Sequence, residues 1–341
     1  MASHLLRQPR WVLVAVAPAL LILSLVVPFS AAKLTTGYYR KSCPRVEQIV
    51  SDVVTNKQIS SPTTAAGALR LFFHDCFVGG CDASVLVSTN AFNRAERDAD
   101  INLSLPGDAF DAVVRAKTAL ELQCPGTVSC ADILALATRD LVSMLGGPFY
   151  AVPLGRKDGL ASHAASVEGN LPRPNMTMDA MIALFAAKGF TEQEMVALAG
   201  AHTVGFSHCK EFAARIFRYK AGEPSAFDPS MDPRFAQALQ KACSKYLEDD
   251  TIATFNDVMT PGKFDNMYYL NLKRGLGLLA SDHALVADRR TKPLVDLYAA
   301  NQSAFFRDFS RAMLKLGLVG VKTGRKGEVR RRCHDFNNLS T

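Results

Sequence analysis

The sequence predicts a mostly α-helical fold with little β-structure, on three observations. Apolar residues recur three and four positions apart along most of the chain, as on amphipathic helices. Runs that alternate apolar and polar residues are few. Prolines and glycines gather between the periodic stretches, as in GGPFYAVPLGRKDG (146–159) and NLPRPN (170–175).

Taken in order, the chain begins with a different kind of segment. Arg7 and Arg10 precede an almost uninterrupted apolar run from Trp11 to Val27, followed by PFSAAK, the pattern of a secretory signal peptide over residues 1–32 with cleavage after Ala32. A retained membrane anchor is the competing reading, and the run is short for a span. The periodic stretches follow at 66–77, 110–124, 130–145, 178–190, 192–200, 211–219, 235–243 and 292–318. Thr191 and Glu194 form a capping-box pattern ahead of the fifth, and Gly189 is placed to end the fourth. NLPRPN is the best connection between two halves, 33–172 and 173–341, with one continuous core as the alternative. No internal repeat or low-complexity tract occurs.

The 341 residues carry 39 Lys and Arg against 32 Asp and Glu, a net charge of +7 that becomes +5 once residues 1–32 are removed. The charges are interspersed, and only GRKGEVRRR near the C-terminus is dense. That stretch could meet an anionic matrix polysaccharide, whereas nucleic acid is a poor match. All eight cysteines follow residue 32, which in an exported chain argues for four disulfides among 105 possible pairings. Zinc is disfavoured because no CxxC occurs. Cys76 and Cys81 can close a small loop; spacing does not pair the others.

RLFFHDCFVGGCDAS (70–84) concentrates the chemistry. On a helix, Arg70, Phe73 and His74 stand at i, i+3 and i+4 and share a face. A guanidinium and an imidazole over an apolar floor suit proton transfer and stabilisation of developing negative charge. The plainer alternative is a core histidine with Arg70 paired to Asp75. Asp75, Val78, Gly80, Asp82 and Ser84 then offer carboxylates, a hydroxyl and main-chain carbonyls in a compact loop, hard oxygen donors that suit Ca²⁺ although the loop is no EF-hand.

LAGAHTVGFSHC places His202 between small residues that leave room for a large flat group such as haem. His208 reads as surface or structural. In NDVMTPGKFDN, Asp257, Thr260 and Asp265 could join Thr203 around a second Ca²⁺, against the alternative of an ordinary turn-rich loop. Asp282, in apolar LLASDHAL, needs a donor, and His202 is a candidate.

The chain resembles the secretory plant haem peroxidases, class III. The motifs that carry the resemblance run in order through YYRKSCP, RLFFHDCFVGGCDAS, ERDADIN, CPGTVSCADILALA, GGPFYAVPLGRKDG, NLPRPN, LAGAHTVG, TPGKFDNMYY and RRRCHDF, spanning the whole chain after residue 32. The resemblance implies a two-domain helical peroxidase fold with haem b between a distal half (33–172) and a proximal half (173–341). It implies His74 as distal acid and base, Arg70 as its electrostatic partner, and Phe73 as the apolar wall. Asn102 would bond the far nitrogen of His74, and Glu96 would tie that asparagine toward the calcium loop.

On the other side the resemblance implies His202 on iron and Asp282 accepting its second ring proton. One calcium would take Asp75, Val78, Gly80, Asp82 and Ser84; the other Thr203, Asp257, Thr260, Asp265 and the carbonyl of Lys263. Pro172 would lie at the donor-binding edge. The implied disulfides are Cys43–Cys124, Cys76–Cys81, Cys130–Cys333 and Cys209–Cys243. The implied function is a secreted, extracellular, monomeric enzyme that reduces hydrogen peroxide to water while oxidising two phenolic donors by one electron each.

The sequence departs from the pattern at three places. Tyr150 stands where members often carry tryptophan, Phe72 where a histidine is commoner, and Asn256 where an apolar residue is usual beneath the haem. Glycan acceptor sequons occur at Asn102, Asn175, Asn301 and Asn338. An inactive calcium-stabilised wall protein would be expected to have lost Arg70, His74 or His202, and none is lost. A secreted hydrolase would need GxSxG or HExxH, and neither occurs.

Overall fold

Periodicity of three and four becomes helix in the computed structural model, which describes residues 34–223 and 226–337; the predicted signal segment and Asn338 lie outside them. Twelve α-helices occur among the described residues: α1 (Val46–Ser60), α2 (Thr64–Val78), α3 (Gly107–Gln123), α4 (Cys130–Met144), α5 (Met178–Ala187), α6 (Glu192–Ala199), α7 (Ala213–Phe217), α8 (Pro233–Ala242), α9 (Met267–Lys273), α10 (Ala280–Ala287), α11 (Lys292–Ala300) and α12 (Gln302–Leu316). The only sheet among them pairs β1 (Phe206–His208) with β2 (Ala253–Phe255), antiparallel, Phe206 opposite Phe255.

α2 is buried along most of its length and packs on α4 and α3, while α1 crosses both α3 and α4. Gly67 permits this approach, since a Cβ there would come within 2.4 Å of Pro106 Cγ ahead of α3. α1 is a helix that the periodic reading did not single out. It buries Val46, Val50 and Val54 four apart in a stretch otherwise polar and β-branched, a composition with weak helix preference that packing overrides.

Thr191 and Glu194 do form a reciprocal capping box at α6, and Gly189 ends the preceding turn with φ +83°. The 292–318 stretch divides into two helices at Asn301, whose side-chain oxygen accepts from the Ala304 amide at 2.9 Å and so starts α12. Of 211–219, only Ala213–Phe217 is α-helical.

The main core draws on residues on both sides of NLPRPN, from Val50 and Leu71 to Phe305 and Phe309. A smaller cluster gathers Phe212, Ile216, Met231 and Leu239 around Cys209 and Cys243. Disulfides join Cys43–Cys124, Cys76–Cys81, Cys130–Cys333 and Cys209–Cys243, with no free cysteine. No helix among the described residues is long and apolar enough to cross a membrane. Phe72 is a core residue and Tyr150 is buried.

Candidate active site

α2 carries Arg70, Phe73 and His74 on adjoining turns. His74 is buried, and its Nδ1 lies 2.6 Å from Asn102 Oδ1. The amide of Asn102 is oriented by its other end, because its Nδ2 donates to the Glu96 carbonyl at 2.7 Å. Oδ1 therefore faces the imidazole as an acceptor, Nδ1 carries the proton, and Nε2 keeps a free lone pair. Burial, then the Arg70 charge, holds His74 down at about 3, with the Asn102 bond opposing. The ring is a neutral base at ordinary pH.

Arg70 is half-buried and does not pair with Asp75. Its guanidinium donates to the Ser104 and Ile101 carbonyls at 2.9 and 3.0 Å and to Ser104 Oγ at 3.0 Å. Burial lowers it to about 10, so it stays charged at neutral pH. Phe73 stacks on Phe77 at 4.5 Å and contacts Phe185, which gives the helix an aromatic flank beside the imidazole.

The loop after α2 is folded around its own carboxylates. Asp75 accepts from the Ala83 and Val85 amides at 2.9 and 3.4 Å, and Asp82 accepts from the Ser84 amide at 3.1 Å. Ser84 Oγ donates to Glu96 at 2.9 Å, so a continuous path runs Ser84–Glu96–Asn102–His74. Burial and the facing Asp82 push Asp75 well up; burial raises Asp82 and holds Glu96 at about 7. Carboxylates crowded this closely are short of positive charge. Val78 ends α2, and its carbonyl also accepts from Lys188 at 3.2 Å. Gly80 has φ +114°, and a Cβ there would sit 2.5 Å from the Gly320 carbonyl. A cavity of ≈ 320 Å³ opens beside the loop, lined by Asp82, Ser84, Glu96, His163, Lys322 and Lys326 among others.

His202 follows α6 on a short 3₁₀ turn. Its Nδ1 donates to Asp282 Oδ1 at 2.9 Å, which again leaves Nε2 as the free nitrogen. Burial works against charging it, and the Asp282 carboxylate outweighs burial, so the net shift is upward. Its side chain is 40% uncovered, so a further group can reach the ring. The Arg70 charge works against protonation of both imidazoles.

The residue next to His202 belongs to a second oxygen set. Thr203 Oγ1 lies 3.4 Å from both Asp257 and Asp265, and Thr260 Oγ1 lies 3.1 and 3.2 Å from the same two. Each hydroxyl has one proton and faces two buried carboxylates, so some of these oxygens meet without hydrogen between them. A hard cation resolves that arrangement. Lys263 reaches Asp265 through its ammonium at 3.7 Å. Among the described residues no three His, Cys, Asp and Glu side chains converge as a metal site; both oxygen sets rely on hydroxyls and main chain as well.

Several contributors escape sequence reasoning because their partners are remote. Tyr268 donates to Asp282 at 2.8 Å, Asn271 to Asp257 at 2.7 Å, and Ser162 accepts from the Glu96 amide at 3.0 Å. Ser104 alone had a hint, its place in the NLS sequon beside Asn102. Asn256 has polar partners where the family pattern has an apolar residue: Ser207 donates to its side-chain oxygen at 2.7 Å, and its amide reaches the Val204 carbonyl at 3.4 Å, pinning the loop after His202. Phe255, the preceding residue, is 44% exposed and packs against Phe206 across the two-stranded sheet. Pro172 is half-buried; Pro174, two residues on, accepts from the Ser281 amide at 2.9 Å, which sets this segment against the start of α10 beside Asp282.

With two histidines each presenting a bare Nε2, comparison with known proteins decides the family. A family model described as peroxidase matches residues 46–301. The chain belongs to the plant secretory peroxidase family. It is 62% identical over 321 residues to peroxidase 65 of Arabidopsis thaliana, covering 94% of each chain. Peroxidase 31 of the same plant is 58% identical, with 94% of this chain and 98% of that one covered, and peroxidase 41 is 62% identical over 90% and 92%. The protein is therefore a peroxidase, an oxidoreductase that uses hydrogen peroxide and a reducing donor, in a family that carries haem. The residues fit that group: a partly uncovered imidazole whose outer nitrogen is free could hold the iron.

Proposed function

We propose that this peroxidase oxidises small phenols by one electron each, with His202 as the residue that would hold the haem iron, His74 as acid and base, and Arg70 as the charge that assists cleavage. The observation that carries the distal assignment is the 2.6 Å bond between His74 and Asn102, because it fixes which ring nitrogen is basic. Bound haem supplies the two-electron redox chemistry. The chain moves the protons: His74 Nε2 takes one from the peroxide oxygen nearer the cofactor and returns it to the farther oxygen, which leaves as water. Arg70 stabilises negative charge that builds on the departing oxygen. Asn102 keeps the tautomer, and the path through Glu96 to Ser84 keeps Asn102 still. Each donor, entering near Pro172, then contributes one electron and one proton.

Two Ca²⁺ would occupy the oxygen sets, one held by Asp75, Val78, Gly80, Asp82 and Ser84, the other by Thr203, Asp257, Thr260, Lys263 and Asp265. The halves 33–172 and 173–341 would each supply one face of the cofactor site, tied across by Cys130–Cys333. The signal-like start supports export to the extracellular matrix and the basic C-terminal stretch a contact with its anionic polysaccharide; a monomer is the default state.

The test is the visible spectrum of the holoenzyme before and within milliseconds of one equivalent of hydrogen peroxide. A Soret band that drops and then recovers on adding a phenol is the expected result. A band indifferent to peroxide would sink the roles given to His74 and Arg70.

A further inference from the structure

Asp282 Oδ1 accepts two hydrogen bonds at once, from His202 Nδ1 at 2.9 Å and from the Tyr268 hydroxyl at 2.8 Å. Tyr268 stands on α9 and is 2% exposed, edge-on to the His202 ring with centroids 6.0 Å apart. Tyr269 closes it from behind at 5.1 Å. A buried phenol usually finds an acceptor. Tyr269 shows the neutral solution, donating to the Val196 carbonyl at 2.8 Å. Tyr268 instead uses the very oxygen that His202 uses.

Two donors on one carboxylate oxygen compete for the same charge. Whatever the phenol draws off is no longer available to pull the proton of His202 Nδ1 toward the carboxylate. We propose that Tyr268 is a positioning residue that limits how much anionic character Asp282 confers on His202, and so sets the balance between ferric and ferrous states of the haem that His202 holds. The inference rests on His202 being the axial ligand. A more anionic imidazole favours the more highly charged iron, so the phenol favours the ferrous state and raises the midpoint potential.

The experiment measures the ferric/ferrous midpoint potential and the iron–imidazole vibration of the holoenzyme in Tyr268→Phe, Asp282→Asn and the double variant. Tyr268→Phe is expected to shift the equilibrium about tenfold toward ferric, a fall of ~59 mV for one electron, with a stiffer iron–imidazole bond. Asp282→Asn is expected to move both readouts the other way. Because Tyr268 acts through Asp282, its replacement on top of Asp282→Asn is expected to add little.

A haem-loaded, folded Tyr268→Phe with unmoved potential would overturn the inference, as would an equal shift with and without Asp282→Asn. Should Tyr268→Phe fail to load haem, 3-fluorotyrosine introduced at position 268 preserves the shape while strengthening the donor. It is expected to raise the potential, and no rise would overturn the inference. Absence of an iron–imidazole vibration in the parent protein would refute the ligand assignment itself, an outcome distinct from a ligated haem that ignores Tyr268.

Discussion

The two sides of the site are built by opposite strategies. The distal side is local: Arg70, His74 and five oxygen-bearing positions fall between residues 70 and 84, closed by the Cys76–Cys81 bridge and joined to Asn102 through one short chain of bonds. The proximal side is assembled at long range, with His202 and Thr203 meeting Asp257, Asp265, Tyr268 and Asp282 from separate segments. A local site is stiff because the chain that makes it is short. A dispersed one is stiff only while the packing that gathers it holds.

The contrast predicts how each side breaks. Removing the free proximal nitrogen has the largest effect: His202→Ala is expected to abolish haem retention, read as loss of the Soret band relative to protein absorbance. His74→Ala is expected to keep haem and slow the reaction with peroxide by about 10²–10⁴-fold in stopped-flow, and Arg70→Leu by roughly 10²–10³-fold. Retained peroxide reactivity in His74→Ala would remove the distal half of the comparison. Asn102→Ala acts through His74 and is expected to cost about 10–100-fold.

Gly80→Ala tests stiffness, since the new Cβ meets the Gly320 carbonyl at a positive φ. A loss of about 2–3 kcal/mol in chemical denaturation is expected. Chelation sharpens the comparison further. With the two oxygen sets occupied as proposed, stripping calcium is expected to perturb the iron–imidazole vibration before the peroxide rate, because the set around Thr203 has no disulfide of its own.

The smallest effect concerns pH. With His74 held at about 3 by burial and Arg70, its base form persists well below the usual histidine range. The peroxide rate is expected to stay level as pH falls through 6.5, the ordinary histidine value. A rate that halves there would show that burial does not govern this ring. Stability runs in the other direction: between about 6.5 and about 3 the unfolded chain takes a proton at this position that the folded chain refuses, so His74 lowers stability as pH falls.

The same contrast explains what the sequence disclosed. Helix periodicity alone puts Arg70, Phe73 and His74 on one face, and a ten-residue loop displays its own oxygen donors. Thr203 with Asp257, Thr260 and Asp265 was visible only as a suggestion, because nothing in their spacing shows that they meet. Tyr268 gave no sign, since its partner is fourteen positions away on another helix. Of the cysteines, spacing spoke only for Cys76 and Cys81; the other pairs came through resemblance. α1 stayed hidden because valines four apart in a polar stretch are poor evidence until α3 and α4 supply something to pack on.

The contact between Gly80 and Gly320 extends beyond geometry. Around it the Cys81 amide donates to the Val319 carbonyl at 2.9 Å, and Arg330 donates to the carbonyls of Asp82 and Ala83 at 3.0 and 2.8 Å across as many as 248 residues. The loop that follows His74 is thus latched by chain as many as 248 residues further along. All of the residues from Arg70 to Asn102 therefore precede by more than two hundred positions the segment that clasps their loop. A chain cut short before residue 319 is expected to present His74 and Arg70 on a loop lacking its clasp, and to react with peroxide more slowly than the whole chain.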